Sequence, residues 1–381
     1  MLMGVTLLSM GRLSESISAF QAAVGNWTGE KKQEYVKFFC SMCDEILDRE
    51  VSPNKPKELL DVVEKICEID EQINFPNSWN SLYMGCVEFC RGNFDASVAY
   101  FGRVAEHGEF FLGRHASGSQ GMRSLSHIES LHSAEFSPLA KFTWRNEPAK
   151  VTSRYVILIS CDSQYFERFA PLAIKSIMRN TSAVVHLNIV DPSDNVSSML
   201  EALGSRFPDR LFLSQQSFVG RNARCFYACS RFFILPALMK KYKVPILTVD
   251  VDSAFVEDLP SDMMERLDST DFIYEGVKHA RLSHFPWRSV AAGFTLFNTS
   301  ERAWLFANAW RDYLASVFIA DADPDQHWYV DQSAMVSLLS AFEGKLTTFD
   351  IGNYTSRFCI FPDATKETKE QFVQRLLADF C

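Results

Sequence analysis

KKYKVPILTVDVDSAFVEDL, residues 240–259, drives an apolar run into two carboxylates, Asp250 and Asp252, with one residue between them. Ile246, Leu247 and Val249 suit a buried strand, whereas two like charges at its end repel each other and resist leaving water. Such a pair calls for water or for something positive between its members. Further runs lie on either side: RYVILIS, AVVHLNIV, RLFLSQQ, DFIYEGV and AAGFTLFN are short, apolar or β-branched, and separated by helical stretches. Strands alternating with helices predict a mostly parallel sheet covered on both faces, an α/β fold. Ligands of such sheets bind beyond the carboxyl ends of the strands. Asp162 follows the first run and Asp250 and Asp252 a later one, so all three are placed on the ligand edge.

The first 130 residues have a different texture, helix after helix with few strand signals. GRLSESISAFQAAV and GNFDASVAYFGRVA match, and Gly4 and Gly85, Gly11 and Gly92, Ser16 and Ser97, and Phe20 and Phe101 share one offset of 81 positions. A constant offset marks an internal repeat. Its glycines, small residue and aromatic resemble the tetratricopeptide helix hairpin, and YVKFFCSMCDEIL with KELLDVVEKICEI resembles a degenerate third copy; a plain helical bundle is the other reading. The expected organisation is an all-α, tetratricopeptide-like domain over residues 1–130, a proline-bearing linker over 131–152 and the α/β domain over 153–381.

Composition excludes several classes. A formal charge of −9 argues against non-specific nucleic-acid binding. No apolar run approaches the ~20 residues of a membrane span. The N-terminal stretch lacks the basic start and cleavage site of a secretory leader. Cys40 and Cys43 form a C-x-x-C without a second pair, in a helical pattern, which favours buried thiols over a metal or redox site. The expected setting is cytoplasmic, with attachment to a membrane surface open.

The α/β region has neither G-x-G-x-x-G after its first strand nor a P-loop. Without a glycine-rich turn, the means of holding a diphosphate is a hard divalent cation, Mn²⁺ or Mg²⁺, bridging it to Asp250 and Asp252. D-x-D recurs at Asp321–Asp323 and Asp323–Asp325, but in a polar loop. In RCFYACSRFFILPALMKKY, Tyr227, Arg231, Leu235 and Leu238 share a helical face, so Arg231 interrupts an apolar stripe. A guanidinium there needs a carboxylate or phosphate, or a route to water.

SRFFILPALMKKYKVPILTVDVDSAFVEDL resembles the core of the GT-A glycosyltransferases, particularly family eight, with Arg231, Pro236, Leu238, Tyr242, Asp250, Asp252 and Leu259 in place. AAGFTLFN, with Gly293 and Asn298, resembles the family's acceptor strand, and Asp331-Gln332 its helix-opening D-Q. The resemblance spans about residues 153–350. It implies a hexosyltransferase using a nucleotide-diphosphate sugar, a UDP-sugar first, and an acceptor hydroxyl on a glycan, lipid or protein. It places Asp162 near the nucleobase, Arg231, Gly293 and Asn298 in the donor region, Asp250 and Asp252 on metal and ribose, and Asp331 and Gln332 at the transferred sugar. It also implies retention of anomeric configuration, because Gln332 is too weak a base for inversion. Asp331 reads equally as a helix N-cap. The family's C-terminal metal-binding histidine has no counterpart in FDIGNYTSRFCIFP, Ala291 replaces its asparagine, and His279 and His284 stand in a stretch expected to be a mobile loop. The competing expectation is an inactive, transferase-like adaptor that binds a protein through its repeats.

Overall fold

The computed structural model describes residues 6–7, 10–25, 32–48, 56–72, 78–105, 114–131, 137–220, 223–277, 282–319, 328–362 and 366–380. Gly4, His279, Asp321, Asp323 and Asp325 lie outside them.

The chain divides into two compact units. The α/β unit comprises Ile128–Gly276, Ala291–Asp325 and Ala341–Cys381. Its strands are β1 (Thr143–Asn146), β2 (Val156–Asp162), β3 (Val184–Val190), β4 (Leu211–Gln216), β5 (Ile246–Val249), β6 (Ala254–Phe255), β7 (Phe272–Gly276), β8 (Val290–Phe297, which starts on the last residue of a segment of the other unit), β9 (Thr348–Asp350) and β10 (Cys359–Ile360). Eight of them form one sheet in the order β1-β4-β3-β2-β5-β8-β7-β9, and β6 pairs with β10. Each of the six runs read from the sequence is a strand. The four missed strands are short, and β1 lies in the stretch read as linker, where it forms an antiparallel edge against β4.

β2 is parallel to β3 and to β5, and β3 to β4. Alternate residues of β2 face opposite layers, because side chains alternate along a strand. Ile157, Ile159 and Cys161 join the core with Phe166, Phe169 and Ala173 of the helix Ser163–Asn180. On the other face the Ser160 hydroxyl lies 2.7 Å from that of Ser230, in the helix Ala223–Tyr242. That layer holds a buried polar network. Asn188 donates to Ser160 at 2.8 Å, and His186 lies 2.6 Å from the Tyr242 hydroxyl and 2.8 Å from Ser214. Burial pushes His186 down to about 3, so it is a neutral bridge.

The helical unit comprises Met1–His127 with two later segments, Val277–Val290 and Gln326–Ser340. Helices Leu13–Gly25 and Phe94–Ala105 carry the two copies of the repeat, and their preceding turns share hydrogen bonds at equivalent positions. Arg12 N donates to Leu7 O and Asn93 N to Glu88 O, both at 2.9 Å. Gly11 and Gly92 have φ of +75° and +80°, a left-handed conformation that favours glycine. Ser16, Ser97, Phe20 and Phe101 are buried, and a Cβ on Gly85 would meet the Phe101 ring at 2.4 Å. Helices Lys32–Leu47 and Lys57–Glu71 stand where the degenerate hairpin was expected. Cys40 and Cys43 are buried free thiols, both pushed up by burial, so neither offers a ready thiolate.

The later segments are built into this unit. Trp287 is fully buried against Phe101 at 5.2 Å, and Ser333 Oγ donates to Gly118 O at 2.8 Å. His284 corrects the expected mobile loop: it is buried, with Nδ1 2.7 Å from Asp48 and Nε2 3.3 Å from Asp44. No described helix is long and apolar enough to cross a membrane.

Candidate functional site

The order β4-β3-β2-β5 places a topological switch point between β2 and β5. The chain leaves β2 toward β3 and β4, and β5 returns on the other side of β2. The crevice outside the carboxyl ends of such strands is the ligand site of open α/β sheets. Asp162 ends β2, and Asp250 and Asp252 follow β5, whose parallel pairing with β2 closes with Ile159 beside Val249.

Arg231 reaches this edge from the helix Ala223–Tyr242, which is buried on nearly all sides rather than along one stripe. The guanidinium is only 2% exposed, and its carboxylate partner is Asp250, with Nη1 2.7 Å from Oδ1. Nη2 donates to Ala292 O at 2.9 Å. Asp250 is also held through its backbone, since its N–H donates to Gly293 O at 3.1 Å. A Cβ on Gly293 would lie 2.8 Å from Asp250 Oδ2, so only glycine leaves the carboxylate this seat. Despite these ties the Asp250 side chain is 42% exposed.

Asp252 differs. Its carboxylate is buried and pairs with Lys369 Nζ. Burial and then the charge of Asp250 raise its pKa, and Lys369 opposes the shift. Lys369 is held up by Asp252 against its own burial, and lies 5.0 Å above the Tyr165 ring.

Asp162 caps the helix Ser163–Asn180, accepting from Tyr165 N at 2.8 Å. Beside it Asp191, at φ +49°, follows β3 and accepts from Phe218 N at 3.1 Å and from the Tyr227 hydroxyl at 3.4 Å. Tyr227 stands one turn before Arg231, as the helical face predicted.

Asp162, Arg231, Asp250, Asp252 and Gly293 are thus on one edge. Asn298 is not. β8 runs antiparallel to β5, so Asn298 lies beyond the opposite end, roughly 16 Å along the strand from Gly293. There its amide donates to Leu267 O at 2.5 Å and to Thr270 O at 2.9 Å, which makes it a loop fastener. Asp331 and Gln332 belong to the helical unit. Ser333 N donates to Tyr329 O at 2.8 Å, so Tyr329 takes the cap position and Asp331 the first turn of the helix Val330–Ala341. The Oδ1 of Asp331 accepts from Gln332 N at 2.9 Å, and Gln332 Oε1 is buried without a hydrogen-bond partner among the described residues.

Sequence reasoning missed Lys369. Its signal is local: Thr368 and Gln371 form a capping box, with Gln371 N donating to Thr368 Oγ1 at 3.2 Å and Thr368 N to Gln371 Oε1 at 2.7 Å. The helix it opens, Lys369–Phe380, carries Phe372 and Leu376 on the same face.

Chemically, the edge offers one buried guanidinium, one half-exposed ammonium, two tyrosine hydroxyls and carboxylates facing solvent. Cations of this kind meet phosphate, and carboxylates accept from sugar hydroxyls. No family model matches the chain, and no curated protein matches it. Among solved structures it is similar to the bifunctional glycosyltransferase WbbM, with TM-score 0.34 and 12% identity over 60% of this chain and 45% of that one. Glycosyltransferase GlyE of Streptococcus pneumoniae TIGR4 gives 0.33 and 17%, over 52% of this chain and 45% of that one. Mouse xyloside xylosyltransferase 1 gives 0.33 and 12%, over 52% and 84%. The chain spans under half the length of WbbM and GlyE.

Proposed function

We propose that this protein transfers a hexosyl group from a nucleotide-diphosphate sugar, a UDP-sugar first, to an acceptor hydroxyl at the edge between β2 and β5. The supporting observation is a buried arginine that fixes Asp250 at the topological switch point, beside Asp252 and Asp162. In the transfer, the bond from the anomeric carbon to the diphosphate breaks with its electron pair on the leaving oxygen. The acceptor oxygen bonds to that carbon, and the acceptor's proton leaves with the diphosphate. Arg231 steadies this edge, and Asp250 and Asp252 receive donor hydroxyls. Retention of the anomeric configuration belongs to the same reading, as does a protein partner for the tetratricopeptide-like repeats.

The Mn²⁺ or Mg²⁺ ion implied by the GT-A resemblance does not fit the residues as they stand. Asp250 gives one oxygen to Arg231, and Asp252 gives one to Lys369. Turning Asp250 Oδ1 toward a metal would break the ion pair of a buried guanidinium, at a cost of about 3–5 kcal/mol. Among the described residues no three His, Cys, Asp or Glu side chains cluster as a metal site.

The test is release of nucleoside diphosphate from a panel of nucleotide sugars, with product NMR for the anomer. Wild type should release it from one donor, and Arg231→Leu should lower the rate by about 100-fold. Release from no donor would favour the adaptor.

A further inference from the structure

We propose that Lys369 supplies, from within the chain, the positive charge that a divalent ion would otherwise bring to the donor diphosphate, so that donor binding needs no metal. The inference rests on the transferase reading, and four observations in the α/β unit lead to it.

The first is charge balance. Asp250 and Asp252 carry two negative charges, and Arg231 and Lys369 carry two positive ones in direct contact with them. The D-x-D pair is therefore already balanced within the chain, and a divalent ion would enter next to two fixed cations.

The second is that the seat of Lys369 is built. Phe372 and Leu376, on its own helix face, are buried against Leu172 of the helix Ser163–Asn180 and Ala254 of β6. Ala254 follows Asp252 by two residues, and its strand is pinned to β10 through Ile360. The helix that carries Lys369 therefore docks on the segment that carries Asp252, and the lysine projects from the docked face.

The third is that helix stability does not explain a lysine there. Position 369 is the first residue of the helix Lys369–Phe380, where the dipole disfavours cations. The adjacent capping box already meets the needs of that end. The charge is placed for Asp252 and for what lies beyond it.

The fourth is access. The Lys369 side chain is 44% exposed although its partner is buried. Asp252 takes part of its hydrogen-bonding capacity and the Tyr165 hydroxyl, at 3.5 Å, lies at the limit of another bond. An ammonium has three donors, which leaves capacity toward the crevice for phosphate oxygens.

Isothermal calorimetry with UDP, then GDP, in excess EDTA and again in Mn²⁺ tests this. Wild-type affinity should agree within about twofold in the two buffers. Lys369→Ala should weaken binding in EDTA by about tenfold or more, and Lys369→Arg should retain it. Titrating Mn²⁺ alone supplies a readout free of nucleotide: wild type should show no saturable site, and Lys369→Ala should gain one by freeing Asp252. Binding lost in EDTA and restored by Mn²⁺ would overturn the inference and leave the transferase reading standing. So would a Lys369→Ala variant that binds as wild type does. If neither nucleotide nor any nucleotide sugar binds in either buffer, the transferase reading falls and this inference with it.

Discussion

Two of the clusters of opposite charge among the described residues differ in what faces water. In the helical unit His284 is fully buried, and its partners Asp44 and Asp48 are only 15% and 23% exposed. Tyr83 donates to Asp44 at 2.6 Å and Leu282 N to Asp48 at 3.0 Å, so donors close around both carboxylates. In the α/β unit Arg231 is just as buried, but its partner Asp250 and the cation Lys369 are each more than two-fifths exposed. The first cluster spends its charges on fastening residues 282–288 to the helices. The second is anchored on one side and open on the other, and that openness makes it a candidate site.

The contrast breaks most visibly at the D-x-D pair, where two similar residues should behave unequally. Asp250→Ala leaves a buried guanidinium without its carboxylate and should cost about 3–5 kcal/mol in urea unfolding. Asp252→Ala frees a half-exposed lysine and removes an unfavourably buried acid, so it should cost no more than about 1 kcal/mol. Equal losses would show that Arg231 does not lean on Asp250.

A smaller effect is expected at Gly293. A methyl group there meets Asp250 Oδ2 at 2.8 Å and must push the carboxylate off Arg231. Gly293→Ala should destabilise by about 1–3 kcal/mol and weaken nucleotide binding together. A variant that loses stability while binding normally would separate the seat of Asp250 from the site.

The closed cluster should report itself through pH. Burial alone would lower the His284 pKa, but the hydrogen bonds and charges of Asp44 and Asp48 outweigh it and raise the value above 6.5. A raised folded-state pKa means stability fully present below the unfolded value of about 6.5 and lost as pH rises through the folded one. Urea midpoints should therefore fall from pH 6 toward pH 9 in wild type, and His284→Asn should remove that slope. An unchanged slope in the variant would assign the dependence elsewhere.

Much of this was legible because it is local. Six strands showed as apolar runs, and the repeat showed because the left-handed turns at Gly11 and Gly92 and the close packing at Gly85 and Phe101 restrict which residues fit. Arg231 betrayed a partner, since a guanidinium in an apolar helix must have one. β1 and Asn298 were misplaced for the same kind of reason. A short edge strand carries no apolar run, and a strand motif does not say which end faces the ligand.

By itself the sequence determined the α/β alternation, the helical repeat and a carboxylate pair at a strand end, because period, turn chemistry and burial act between near neighbours. Only the tertiary structure decided what those carboxylates meet. Asp250 finds Arg231 from the preceding helix, and Asp252 finds Lys369 from a helix 117 residues later. Likewise His186 and Asn188, polar positions in an apolar strand, find Ser160 and Ser214 only once β2 and β4 pair on either side, and Tyr242 only once a helix covers that face. A buried polar group must be paired, but chain order does not name its partner; packing does.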